Sequence, residues 1–277
     1  MFFAKLQQAS QSNRSFLCVG LDPHPSLLPE KDVAAFNRAI IEATADLVCC
    51  YKPNLAFYES MGPQGLEVLM RTVEAIPRHV PVIADGKRGD IASTAEAYAH
   101  ALFDVYGCDA ATVNPYLGGD SLAPFLQRAD KGIFVLCRTS NPGGADLQAR
   151  AVVTDGTTRP LYEVVAELAR DRWNERGNVG LVVGATFPEE LGHIRQLCPR
   201  LPFLLPGVGA QGADVAAAVR NALDEDGAGF IIVSSRQILY ASSGRDYAQA
   251  ARRAAEALRD EINRQREAAL AERAMRG

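Results

Sequence analysis

Eight short apolar runs, separated by longer segments of helical pattern, constrain the fold of this 277-residue chain more than any other feature. The runs are SFLCVGLD (15–22), DLVCCYKPN (46–54), VPVIADGK (80–87), AATVNPY (110–116), GIFVLCRTS (132–140), VGLVVGAT (179–186), FLLPGVGA (203–210) and GFIIVSSR (229–236). They are rich in β-branched residues and almost continuously hydrophobic, as strands buried on both faces should be. The stretches between them, such as DVAAFNRAIIEATADL and PLYEVVAELARDRWNERG, read as amphipathic helices. Eight strand–helix units in a chain of this length predict an α/β fold: a (β/α)8 TIM barrel forming a single domain over residues 1–277. An open doubly wound sheet is the competing architecture. Against it, GLDPHPS follows the first run where a glycine-rich dinucleotide turn would stand. The tail YAQAARRAAEALRDEINRQREAALAERAMRG reads as the last helix, with a solvated helical extension from about residue 260. The stretch 141–160, NPGGADLQARAVVTDGTTRP, reads as a long connection of the kind that serves as a lid or binding loop.

Composition narrows the function classes. Apolar residues make up 48% of the chain, enough for one large core. A net charge of −4 without any basic block argues against a nucleic-acid partner. The six cysteines form no C-x-x-C pair and sit mostly in apolar runs, so they read as buried, reduced thiols suited to the cytoplasm. The opening MFFAKLQQASQSNRS has no apolar signal-peptide core, and no stretch is long enough to span a membrane.

Charged residues gather where the apolar runs end, the rim on which barrel active sites are built. Asp22, Lys52, Asp85 and Lys87 all fall there. Asp85 and Lys87 are two apart, so on an extended strand they point the same way. Asp90 and Thr94 are four apart at the start of the next helix and share a face. Taken singly, Asp90 reads equally as an N-cap, Asp22 as a turn residue before Pro23, and Lys52 as a lysine snorkelling from a strand end. Together they are charges of alternating sign on one rim, and unpaired buried charges are very costly, so the array must be mutually paired. An opposite charge at ~4 Å contributes roughly 4 kcal/mol at an effective dielectric of 20. Flanking carboxylates would therefore keep Lys87 protonated, as a proton donor rather than a Schiff-base nucleophile.

A second signal follows the last two runs. PGVGAQGAD (206–214) and SSR (234–236) occupy the positions where many barrels bind phosphate. Gly207 and Gly209 expose backbone N–H groups, Gln211 offers an amide and Arg236 a bidentate fork. A plain turn and a surface ion pair are the competing readings.

The motifs D-G-K-R-G-D-I-A-S-T, PGVGAQG and SSR, in strand order, resemble those of orotidine 5′-phosphate decarboxylases. NPYLGGDSLAPF (114–125) and the long connection after the fifth run resemble the longer, type 2 subfamily found in many bacteria. The resemblance runs nearly end to end. It implies a cytoplasmic carboxy-lyase of pyrimidine (UMP) biosynthesis, a homodimeric barrel with shared active sites, and no cofactor or metal. It implies a Lys52–Asp85–Lys87–Asp90 catalytic array in which Lys87 protonates C6 of the product. By the same resemblance Asp22 and Lys52 hold ribose hydroxyls, Ser140 contacts the pyrimidine, and Gln211 and Arg236 hold the phosphate. Asp90 and Thr94 would reach the neighbouring subunit's site. Two alternatives stand beside this reading. One is a Mg2+-dependent sugar-phosphate decarboxylase or lyase of the same superfamily, resembling 3-keto-gulonate 6-phosphate decarboxylase. Lys52 disfavours it, because a cation there would repel the metal. The other is a non-catalytic nucleotide-phosphate-binding barrel, which would not need the charged array.

Overall fold

The computed structural model describes residues 1–154, 156–208 and 214–276. Among them run strands β1 (Leu17–Leu21), β2 (Cys50–Pro53), β3 (Ile83–Arg88), β4 (Ala110–Val113), β5 (Gly132–Arg138), β6 (Ala151–Thr154), β7 (Thr157–Pro160), β8 (Val179–Val183), β9 (Phe203–Leu205) and β10 (Phe230–Ser234). The helices are α1 (Phe2–Asn13), α2 (Val33–Thr44), α3 (Leu55–Glu59), α4 (Pro63–Ala75), α5 (Ala92–His100), α6 (Gly119–Leu126), α7 (Leu161–Asp171), α8 (Pro188–Leu197), α9 (Val215–Ala222), α10 (Arg236–Leu239) and α11 (Tyr247–Arg276).

Eight strands form one parallel sheet in the order β2-β1-β10-β9-β8-β5-β4-β3. Bridges Tyr51↔Val82 and Asn54↔Asp85 join the two outer strands and close the cylinder. This is the (β/α)8 barrel that the spacing of apolar runs predicts. Alternate strand residues enter two different cores, as a pleated strand requires. Leu17, Val19 and Leu21 of β1 pack with the surrounding helices, while Cys18 joins Cys50, Ile83, Phe134, Leu204 and Ile231 in the interior. Both faces being buried, the strands need continuous hydrophobicity, and that is how they are written. All six cysteines are buried and free. Among the described residues no helix is long and apolar enough to cross a membrane.

Three elements differ from expectation. The first segment, to which the sequence alone assigns no element, is α1, and it plugs the barrel floor. Phe2 and Leu6 join the interior cluster, Phe2 meets Phe134 edge-on at 5.8 Å, and Lys5 Nζ pairs with Asp109 Oδ2 at 2.8 Å. The long connection 141–160 is not a bare loop but ends in an antiparallel hairpin of β6 and β7, with Ala151↔Pro160 and Thr154↔Thr157 as its outer and inner pairs. Third, the segment beyond about residue 260 continues α11 and is docked rather than simply solvated. Ile262 and Ala269 are buried, Arg266 Nε donates to Gly227 O, and Arg273 Nη1 donates to Asp224 O at 2.7 Å. Leu258, Ile262 and Ala269 lie on one helix face, so a single apolar stripe carries the docking.

Candidate active site

The C-terminal ends of the parallel strands carry the charges, and the strands bring three of them together. Lys52 Nζ on β2 lies 2.6 Å from Asp85 Oδ2 on β3, and Lys87 Nζ lies 2.5 Å from Asp85 Oδ1. Thr112 Oγ1 donates to Oδ1 at 2.9 Å and Asn54 Nδ2 to Oδ2 at 3.4 Å. Four donors thus surround one buried carboxylate, which is how a buried charge is made tolerable. Burial alone would push the Asp85 carboxyl up. Lys52 and Lys87 outweigh it and hold the group well below the usual carboxylate range. Burial would likewise depress the Lys52 amine, but the attraction of Asp85 and then Asp22 raises it above an ordinary lysine. The Lys52 side chain is 6% exposed, so it does not snorkel. That of Lys87 is 46% exposed and meets solvent.

Asp85 and Lys87 meet as expected, but not through a plain pleat. The β3–β4 register slips between Ala84↔Ala111 and Arg88↔Val113. Lys87 has φ +47°, a left-handed conformation that costs an L-residue about 1–2 kcal/mol. A bulge of this kind re-aims side chains at a strand end.

Asp22, one residue past β1, accepts the Asn54 N–H at 3.2 Å. Its turn is clamped by Tyr240, which donates to Asp22 O at 2.9 Å and accepts from the His24 N–H at 2.7 Å. Gly20 packs closely against this turn: a Cβ there would stand 1.9 Å from Ser235 Oγ and 3.0 Å from Ser235 Cβ, so any side chain would force Ser235 to shift. Asp22, Lys52, Asn54, Asp85, Gly207 and Arg236 share the wall of one cavity of about 250 Å3. Ser234 Oγ, on the same wall, is buried without a protein partner among the described residues. Gly207 has φ +99°. Arg236 is exposed at the start of α10, and no acidic partner reaches it among the described residues. Arg236 is one of the residues that line the cavity. Gly209 and Gln211 lie outside the described residues.

Lys87 is not itself among the described residues lining this cavity and meets its wall through Asp85. Three further predicted site residues stand apart. The carbonyl of Ser140 accepts from Thr186 Oγ1 at 3.0 Å, and Ser140 is not among the described residues lining the cavity. Asp90 and Thr94 make no hydrogen bond to the array. Asp90 precedes α5, its Oδ1 accepting the Ile91 N–H at 2.8 Å, so it is neither a helical neighbour of Thr94 nor the helix cap. Asn54, Thr112 and Tyr240 were not singled out by sequence, and Ser234 entered only as the first residue of the SSR motif. Of the first three only Asn54 carried a readable signal, as the polar residue two beyond Lys52 in YKPN. A larger cavity of about 720 Å3 lies around Trp173 between α6 and α7, but no buried charge cluster faces it.

A sequence model described as the orotidine 5′-phosphate decarboxylase / HUMPS family matches residues 15–254. A Dehalococcoides mccartyi orotidine 5′-phosphate decarboxylase is 54% identical over 266 residues, covering 96% of this chain and 98% of the relative. That of Herpetosiphon aurantiacus is 54% identical over 263 residues, covering 93% and 96%. The solved structure of Leishmania donovani OMP decarboxylase has a TM-score of 0.84 and 42% identity, covering 96% of this chain and 98% of that one.

Proposed function

The chain belongs to the orotidine 5′-phosphate decarboxylase / HUMPS family and converts orotidine 5′-phosphate to UMP and CO2 in pyrimidine biosynthesis, and from that premise we propose that Lys87 supplies the proton that replaces the carboxylate at C6. The observation carrying this reading is the Asp85 carboxylate held between two ammonium groups at 2.6 and 2.5 Å beside the cavity. A substrate carboxylate seated against Asp85 meets like charge, and that repulsion falls as CO2 leaves. The C–C bond breaks with its electron pair staying on C6. Attraction to the Lys87 ammonium grows with that charge, and the pair then takes a proton from Nζ. Interactions stronger in the transition state than in the ground state lower the barrier.

The remaining roles are those that the family resemblance implies. Asp22 and Lys52 hold ribose hydroxyls. Arg236, the backbone at Gly207 and Gly209, and Gln211 hold the phosphate. Ser140 contacts the pyrimidine. Asp90 and Thr94, detached from the array of their own chain, complete the site of a second copy in a cytoplasmic homodimer. The exposed apolar side chains Ile91 (56%), Tyr116 (75%) and Leu117 (45%) beside them support that assignment. A Mg2+-dependent reaction is disfavoured because ammonium groups engage both Asp85 oxygens.

The test is orotidine 5′-phosphate decarboxylation, followed by loss of substrate absorbance with EDTA present. Turnover should survive EDTA and vanish in Lys87→Ala, while that variant still binds UMP. Substantial turnover in Lys87→Ala would remove Lys87 as the proton donor. Turnover abolished by EDTA and restored by Mg2+ would overturn the metal-free reading.

A further inference from the structure

We propose that Thr112 is a positioning residue for the proton donor: its hydroxyl ties the Lys87 backbone to the Asp85 carboxylate and so aims the ammonium group. This rests on the reading of Lys87 given above. Thr112 is the one polar residue of β4 and is 1% exposed. A hydroxyl has one proton and two lone pairs. The proton goes to Asp85 Oδ1 at 2.9 Å, and a lone pair receives the Lys87 N–H at 3.0 Å. The same Oδ1 receives Lys87 Nζ at 2.5 Å. The contacts close a ring that begins and ends on Lys87, from its backbone N–H through Thr112 and Asp85 to its own Nζ.

The ring is needed because of the bulge. Between Ala84 and Arg88 the β3–β4 ladder is interrupted, so Lys87 finds a side-chain oxygen where a strand would offer a carbonyl. Its φ of +47° is disfavoured for lysine and persists only if the surroundings hold it. Thr112 is the group that does so. Without the hydroxyl the charges of the array are unchanged, but the Lys87 N–H loses its acceptor and the backbone is free to relax. What fails is aim rather than charge, and it fails at the reacting end of the substrate, away from Arg236.

Two variants separate these effects. Thr112→Val keeps the shape without the hydroxyl, and Thr112→Ser keeps the hydroxyl without the methyl. For Thr112→Val we expect kcat to fall about ten- to a hundredfold, with KM and UMP affinity within about threefold of wild type. Thr112→Ser should keep kcat within about threefold. Wild-type kcat in Thr112→Val, equal impairment of both variants, or UMP affinity lost in step with kcat would each overturn the proposal. Lys87→Ala run alongside keeps the two readings apart. Full activity in Thr112→Val with a dead Lys87→Ala removes only the role of Thr112, whereas an active Lys87→Ala removes the proton-donor reading beneath it.

Discussion

Burial alone would drive the Asp85 carboxyl upward, yet Lys52 and Lys87 hold it well below its ordinary 3.8. A carboxyl depressed on folding contributes stability above its unfolded pKa and loses it as pH falls through the folded value. The Asp85 contribution should therefore be constant at neutral pH and decline below about pH 4. Lys52 is the opposite case. Its amine, raised above 10.5, contributes fully below that value and loses its contribution as pH rises through the folded pKa. Urea midpoints across the acid limb should show a shallower decline in Asp85→Asn than in wild type, and identical slopes would place acid sensitivity elsewhere. Arg236 sits at the other extreme. It is exposed and lacks an acidic partner among the described residues, so Arg236→Ala should leave stability within about 0.5 kcal/mol while raising KM for orotidine 5′-phosphate sharply. Steady-state kinetics beside a thermal melt checks both halves, and an unchanged KM would detach Arg236 from the phosphate. Asp22, Lys52, Asp85 and Arg236 were legible because a charge ending an apolar run is conspicuous. Thr112 was not, because a lone hydroxyl inside AATV looks like an ordinary β-branched strand residue.

Elements were legible in proportion to how uniformly they are buried. The strand centres stand out since both faces need apolar side chains, as in β8 and β10, where every residue is buried. Their ends were overread, because the polar residues that serve the site also end the hydrophobic signal. β9 spans only Phe203–Leu205 before Pro206 and Gly207 turn the chain. The hairpin carried a signal that the connection reading passed over, Asp155-Gly156 between two β-branched segments. α1 carried almost none, since its apolar face is little more than Phe2, Leu6 and Ala9. Its importance comes from where Phe2 lands, against Gly132 and Phe134 on the floor of the barrel. Phe2→Ala should lower stability by about 3–5 kcal/mol. Because the floor is at the opposite end of the strands from the cavity, kcat and KM below the melting temperature should not change. A variant that loses activity while fully folded would show that the floor and the site are coupled.

At the scale of the whole molecule, one chain leaves part of its predicted site unused. Asp90 and Thr94 stand on the rim after β3, joined to no member of the array, next to Ile91 and close to the turn after β4 that exposes Tyr116 and Leu117. The two turns are contiguous, because the Asn114 N–H donates to Arg88 O at 2.8 Å. No periodicity reveals such a patch, which is assembled by strand order from two separate turns. A two-fold axis across this rim would set the same patch of each copy against the other's cavity. Lys87→Ala and Asp90→Ala homodimers should then both be inactive for different reasons. Each mixed dimer would contain one site lacking both groups and one site with both intact. Random exchange makes half the dimers mixed, so activity should recover to about a quarter of wild type. Native mass spectrometry would verify that mixed dimers had formed. Recovery with mixed dimers present would place Asp90 in the partner's site. Mixed dimers without recovery would return Asp90 to its own chain and require the rim to move before catalysis.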